Sequence, residues 1–407
     1  MRWLENKSSV KGWLTPGVRG IGAASLLSDL GHEVPTSLLP RFLTATLGAP
    51  AAALGLIEGL SDGLAGIMRL VGGALADDPG RRRNIAVGGY AATALMASAV
   101  GAAQAVWQVG LLRAGGWAAR GLRGPSRNAL LADAVDPAVY GRAYGFERAM
   151  DNLGALGGPL LALALVSAFS IRTAILLSVI PGLLAAVAML YAVRHLHRVA
   201  TRERQPIRLK IKPVLQGRLR GLMSGIAAFE LGNVAATLLI LRATELLSEG
   251  RGAEGATRIA LLLYLAYNIA ATLSSVPAGR LSDERGPVLV LSVGVAAFLI
   301  AYGLFAVVGA GLATLALAFI LAGCGIGCVE TAEHAAVAIL APVDLRGSSF
   351  GLLAGIQSFG NLAASGIAGL LWTLLSPTIA FAYLFGWMAI SLGALVRVGG
   401  DEAVVGA

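Results

Sequence analysis

Long apolar runs, parted by short polar breaks, dominate the chain. A helix needs about 20 apolar residues to cross a bilayer core of about 30 Å. Read on that scale, the runs predict twelve spans: 17–45, 51–76, 84–104, 106–134, 140–168, 171–195, 217–247, 256–282, 287–309, 311–341, 347–374 and 377–397. The longer ones must tilt or project beyond the bilayer. The expected fold is an all-α membrane protein of two six-helix bundles. Residues 1–195 form the first bundle, 196–216 a linker and 217–407 the second.

An internal repeat makes the two bundles pseudo-symmetric. Gly73-Ala-Leu-Ala-Asp77-Asp-Pro-Gly80 is echoed by Gly279-Arg-Leu-Ser-Asp283-Glu-Arg-Gly286, each matched residue 206 positions on. Gly141 and Gly145 match Gly347 and Gly351 at that same offset. A constant offset across separated segments is the mark of a duplicated half, as in many secondary transporters.

Composition agrees. Of 407 residues, 56% are hydrophobic and only 14% charged, with a mean hydropathy of +0.74. Soluble domains carry about 25% charged residues, so this chain cannot cover a water-facing surface and must present its outside to lipid. The net charge of +9 sits largely in the loops. It reads as topology, not as a nucleic-acid footprint. Arg194, Arg198, Arg202, Arg204, Arg208, Lys210, Lys212, Arg218 and Arg220 face one acid, Glu203, in the central linker. The positive-inside rule places the linker in the cytoplasm. With six spans on either side, both termini follow it, in a cell membrane and most naturally a bacterial inner membrane. Arg81, Arg82 and Arg83 fall on the same side. Arg251 and Arg258, in an outside loop, depart from the rule. Residues 1–16 lack a cleavable signal pattern and, with Trp3 and Trp13, suit a headgroup-level segment.

The segment Gly73-x-Leu75-x-Asp77-x-x-Gly80-Arg81-Arg82 resembles the signature loop of the major facilitator superfamily. Its second-half echo has Pro287 and Val288 where the arginines would stand. Gly154-Ala-Leu-Gly-Gly158-Pro159 resembles the G-x-x-x-G-P motif of antiporters in that family, without its glycine-rich ending, since Leu160 and Leu161 follow. Ser25–Asp29, Gly55–Gly59 and Gly145–Asp151 look like a little-characterised prokaryotic branch. The resemblance implies the major facilitator fold, with spans one, four, seven and ten lining the cavity. It also implies alternating access, and an approach of Asp77 to the start of span eleven near Gly347 as a gate. By the repeat, Asp283 would approach the start of span five near Gly141.

The buried charges give candidate residues without any family. An ionisable group inside a membrane is costly unless it faces the bundle interior or water. Spans three, six, nine and twelve are free of charge in their apolar centres; spans one, two, four, five, seven and ten are not. On span one, Asp29, His32 and Glu33 share a face. On span two, Glu58, Asp62 and Arg69 form a stripe. These acids read either as a coupling site for protons or as a structural cluster satisfied by arginine, with Arg69 able to balance Asp62. Arg113 on span four is deep, so it needs a partner, for which Asp29 or Glu33 is expected. Arg120, Arg123 and Arg127 are expected near the cytoplasmic end, meeting water or headgroups. Glu147, Arg148 and Asp151 are close enough to pair on span five. Glu230, with Glu330, Glu333 and His334, makes the second half of the cavity acidic. Gln357 and Asn361 suit interhelical hydrogen bonds more than substrate. Cys324 and Cys328 read as small packing groups.

The gating set is Gly73, Asp77, Gly80, Arg81, Asp283, Gly154 and Pro159. No metal site, cofactor or enzymatic motif is read from the chain, and no G-x-x-x-x-G-K-[ST] phosphate loop is present. The expected function is secondary transport of a small organic solute, by proton-coupled efflux. Proton-linked import of an anionic metabolite, read by Arg113 and Arg69, is the alternative. A non-transporting membrane sensor on the same fold is a third. Expected partners are the solute, protons and membrane lipid, with the chain acting as a monomer and binding no nucleic acid.

Overall fold

The computed structural model describes residues 12–196, 210–249, 252–307, 309 and 311–405. Most of the linker, including Arg198, Arg202, Arg204 and Arg208, lies outside them, as do Trp3 and Arg251. The fold is all-helical, with twelve transmembrane helices. In the first half these are α1 (Pro16–Arg41), α2 (Ala51–Ala76), α3 (Pro79–Ala99), α4 (Val106–Asp133), α5 (Tyr140–Ala168) and α6 (Ile171–Leu177, resumed at Val179–His195). In the second half they are α7 (Gly217–Gly232, resumed at Ala236–Ser248), α8 (Gly252–Arg285), α9 (Pro287–Ala306), α10 (Leu312–Leu340), α11 (Arg346–Leu374) and α12 (Pro377–Val405).

The repeat is visible in the elements. A 3₁₀ turn at Pro137–Val139 leads into α5, and one at Val343–Leu345 leads into α11, at the 206-residue offset of the sequence. Local signals set the helix starts. Thr15 caps α1 ahead of Pro16, and Asp78 caps α3 ahead of Pro79, accepting from Gly80 N. Proline at the first helical position lacks only an N–H that would be unpaired anyway.

Two predicted spans are interrupted. In α6 the break falls at Ser178, because Pro181 has no N–H for the carbonyl four residues back. In α7 the helix opens over Asn233–Ala235, and side chains satisfy the freed backbone. Val234 N reaches Tyr302 Oη at 3.4 Å, Ala235 N reaches Ser365 Oγ at 2.9 Å, and Asn361 Nδ2 donates to Asn233 O at 2.8 Å. Non-helical backbone survives at membrane depth only with such partners.

Eight of the described helices are long and apolar enough to span a membrane by composition alone; α1, α2, α4 and α11 are the long helices outside that set. The first compact unit of the chain runs to Val214 and takes in Ala341–Gly355; the second holds the remainder. Within the first, α1, α2, α4 and α5 gather the charged residues.

Candidate functional site

Three layers of ion pairs climb α4 in the first unit. In the layer nearest the start of α4, Arg113 gives Nη2 and Nε to Glu58 Oε1 on α2, at 2.8 and 3.1 Å, and Nη1 to Thr36 Oγ1 on α1 at 3.2 Å. The expected partners, Asp29 and Glu33, are not the ones it takes. Two turns along α4, Arg120 claims Asp29 instead, Nη1 to Oδ1 at 2.8 Å. Trp117 sits between the two arginines, each guanidinium 5.7 Å from its ring, and the His32 ring meets it edge-on at 5.0 Å.

In the third layer Arg127 pairs with Glu147 at 2.8 Å and approaches Asp151 at 3.6 Å; Arg148 bonds the same two acids at 2.8 and 3.2 Å. Ser25 donates to Glu147 Oε1 at 2.6 Å and accepts from Arg127 at 3.0 Å. Arg123 points toward α1 and α3, donating to Ser28 Oγ at 2.8 Å with its guanidinium 3.7 Å from the Tyr90 ring centre. Arg120, Arg123 and Arg127 were expected in water or headgroups. They lie inside the bundle, Arg123 only 4% exposed, because α1, α3 and α5 offer acids, hydroxyls and a ring at their depth.

The glycines of α5 let α1 come close at the turn that carries its acids. A side-chain carbon on Gly154 would collide with the Leu26 carbonyl and Asp29 Cβ, and one on Gly158 with Glu33 Cβ. Pro159 follows within the helix. Asp62 is exposed, and Arg69 donates to the Ala354 carbonyl at 3.3 Å.

A second cluster forms where α2 turns into α3. Asp77 accepts from Ser348 N at 2.8 Å and from Ser348 Oγ at 2.6 Å, at the N-terminus of α11, where exposed amides and the helix dipole favour an acid. Lys210 stands 3.9 Å away. Burial pushes the Asp77 carboxyl up, and Ser348 and Lys210 offset this only in part. Neighbouring charges pair elsewhere: Arg81 with Asp78 at 3.2 Å, and Arg82 with Asp133 at 2.6 Å. Asp133 also receives Arg346 at 3.2 Å, and Arg346 bonds Tyr140 Oη at 2.9 Å. Gly73 packs directly on Gly347 and Gly351, where a β-carbon on any of the three would overlap backbone atoms.

In the second unit, Glu230 accepts from Asn233 Nδ2 at 3.1 Å beside the break in α7. Glu333 is fully buried and accepts from Gln357, while His334 Nδ1 bonds the Glu330 carbonyl at 2.7 Å. Gln357 and Asn361 thus link helices. Asp283 lies half-buried in the last turns of α8. Among the described residues, no group of three His, Cys, Asp or Glu side chains is placed to hold a metal ion.

Buried ion-pair layers inside a repeated bundle of apolar helices define a multi-pass membrane protein of transporter architecture. The chain belongs to the Major Facilitator Superfamily, whose family model matches residues 21–246 and 251–403. It is 29% identical over 382 residues to an uncharacterized MFS-type transporter of Methanocaldococcus jannaschii, covering 91% of this chain and 92% of that one. An uncharacterized protein of Mycobacterium tuberculosis is 27% identical over 386 residues, covering 93% and 88%. Among solved structures, a bacterial homologue of the iron transporter ferroportin aligns with a TM-score of 0.77 at 14% identity, over 94% of this chain and 99% of that one. The proton:xylose symporter XylE aligns at 0.73 and 14%, over 95% of each chain. These two likenesses show the fold. Family and fold are those of secondary transporters.

Proposed function

We propose that the chain exports a small organic solute in exchange for protons, by alternating access, and that Asp29 and Glu33 carry the proton. The observation behind this reading is the Asp29–Arg120 pair. One arginine holds a buried carboxylate, and Glu33 lies one turn further along the same helix. To take up a proton Asp29 must loosen its hold on Arg120, so proton binding and the packing of α1 on α4 change together, which is the differential interaction a conformational shift requires. Gly154 and Gly158 seat α5 against that same turn and pass its movement on. Glu230, Glu330 and Glu333 suit a cationic solute. Import of an anion read by Arg113 has less support, because Glu58 and Thr36 already occupy that guanidinium. A proton-driven cycle also has precedent on this fold in the proton:xylose symporter.

In the same reading, Asp77 on Ser348 is a gate contact, the linker and both termini are cytoplasmic, and the protein works as a monomer in the cell membrane. The test is transport by purified protein in liposomes, with a panel of cationic, neutral and anionic organic solutes and an imposed pH gradient. Solute movement against its gradient, with proton movement in the opposite direction, is the expected result. Transport indifferent to the pH gradient would remove the coupling.

A further inference from the structure

Behind the Asp29–Arg120 layer, α1, α3 and α6 enclose a small cavity with room for one small group. Its walls include Ser28, His32, Tyr90, Thr93 and Ser178. Three polar groups in and beside it are deeply buried and make no hydrogen bond. They are Tyr90 Oη (residue 1% exposed), both ring nitrogens of His32 (5%) and Nη1 of Arg123 (4%). Orphaned buried polar groups of this kind are rare and point to an unseen occupant.

The donors decide its sign. Arg123 only donates. Ser28 Oγ accepts from Arg123, which leaves its own hydrogen to give. The Tyr90 hydroxyl and one His32 nitrogen add two more donors. Charge points the same way. Arg113, Arg120, Arg127 and Arg148 each hold a carboxylate. Arg123 makes its direct contacts with a hydroxyl and a ring face, and the carboxylate whose charge reaches it, Asp29, is already paired with Arg120. A guanidinium at this depth is costly without an opposite charge.

We infer that this cavity binds a small monovalent anion of chloride size, held by Tyr90, His32 and Ser28 and neutralising Arg123. It would be a resident ion, distinct from the solute. With it in place Arg123 would have its own counter-charge and draw less on Asp29, the partner of Arg120.

Full-length protein in detergent or nanodiscs tests this in two ways. Thermal stability is titrated with chloride against gluconate at constant ionic strength. A saturable rise specific to halide is expected. Tyr90→Phe, which removes one O–H and little else, should weaken half-saturation about tenfold or more, the scale of a hydrogen bond to a charged group. Independently, crystals of the unmodified protein in bromide should show an anomalous peak among Ser28, His32 and Tyr90. Stability indifferent to halide, a titration unchanged by Tyr90→Phe, or a peak that scatters as water would each overturn the anion.

Discussion

Asp29 and Arg120 meet at 2.8 Å because they lie at the same depth. Asp29 is thirteen residues from the start of α1, and Arg120 is thirteen from the end of α4. At 1.5 Å per residue both stand about 20 Å from the end of the bundle those termini share. Their pairing makes the first prediction. Asp29→Asn leaves a guanidinium inside the bundle without its acid, at a cost of about 3 kcal/mol, the low end for a broken buried pair, since Arg120 keeps some exposure. Asp29→Asn with Arg120→Gln removes both charges and should recover much of that loss. Thermal unfolding in detergent measures it; a double variant as weak as the sum of the two singles would show the pair uncoupled.

Coupling is read separately from stability. Asp29→Asn and Glu33→Gln should each abolish transport driven by a pH gradient while solute exchange or binding partly survives. Liposome assays with and without the gradient separate the two. If both variants keep full proton-driven activity, the role given to α1 fails.

Gly154→Ala tests the seat between α1 and α5. Helix propensity alone favours alanine by roughly 1 kcal/mol. Here the added carbon meets a backbone carbonyl, which cannot rotate away, and overpacking of this kind costs about 1–3 kcal/mol. A lower melting temperature and slower transport are expected. An alanine variant more stable than the parent would mean the helices are not held this close.

Asp77→Asn should leave the fold intact, because an amide oxygen still accepts from Ser348. What it loses is the charge at the start of α11, worth roughly 0.3–1 kcal/mol at an exposed terminus and more when partly buried. The resting balance is expected to move toward inward-open, with slower turnover and little change in solute affinity in detergent. Cysteine accessibility from both faces reports the balance, and an unchanged ratio would take Asp77 out of the gate.

Cysteines placed at 200–210 should be labelled only from the cytoplasmic side of intact cells. Labelling from outside would invert the topology.

Much of the fold was legible in the sequence. Apolar runs placed the helix ends to within about five residues, except that α12 runs on to Val405, since a bilayer tolerates little else. The breaks in α6 and α7 were not. Pro181 was a signal for one, whereas the opening at Asn233 depends on Tyr302, Ser365 and Asn361 arriving from distant parts of the chain. The candidate charges were visible, but their partners were assigned by proximity of role and not by depth. Counted from the shared end of the bundle, Glu58 matches Arg113 and Glu147 matches Arg127 as Asp29 matches Arg120. The i, i+7 arginines of α4 needed only that ruler. The stacking of Arg123 on Tyr90 had no comparable signal, because an aromatic residue in an apolar helix looks the same whichever way it faces.

Where Gly73 lies on Gly347 and Gly351, backbone meets backbone. Side-chain contacts fade by degrees as rotamers readjust; a junction with no side chains has nothing to readjust. A gap of about 0.5–1 Å would already forfeit a quarter to a half of its dispersion contact. In the proposed transport cycle such a junction would act as a latch, and even one added methyl group would hold it ajar.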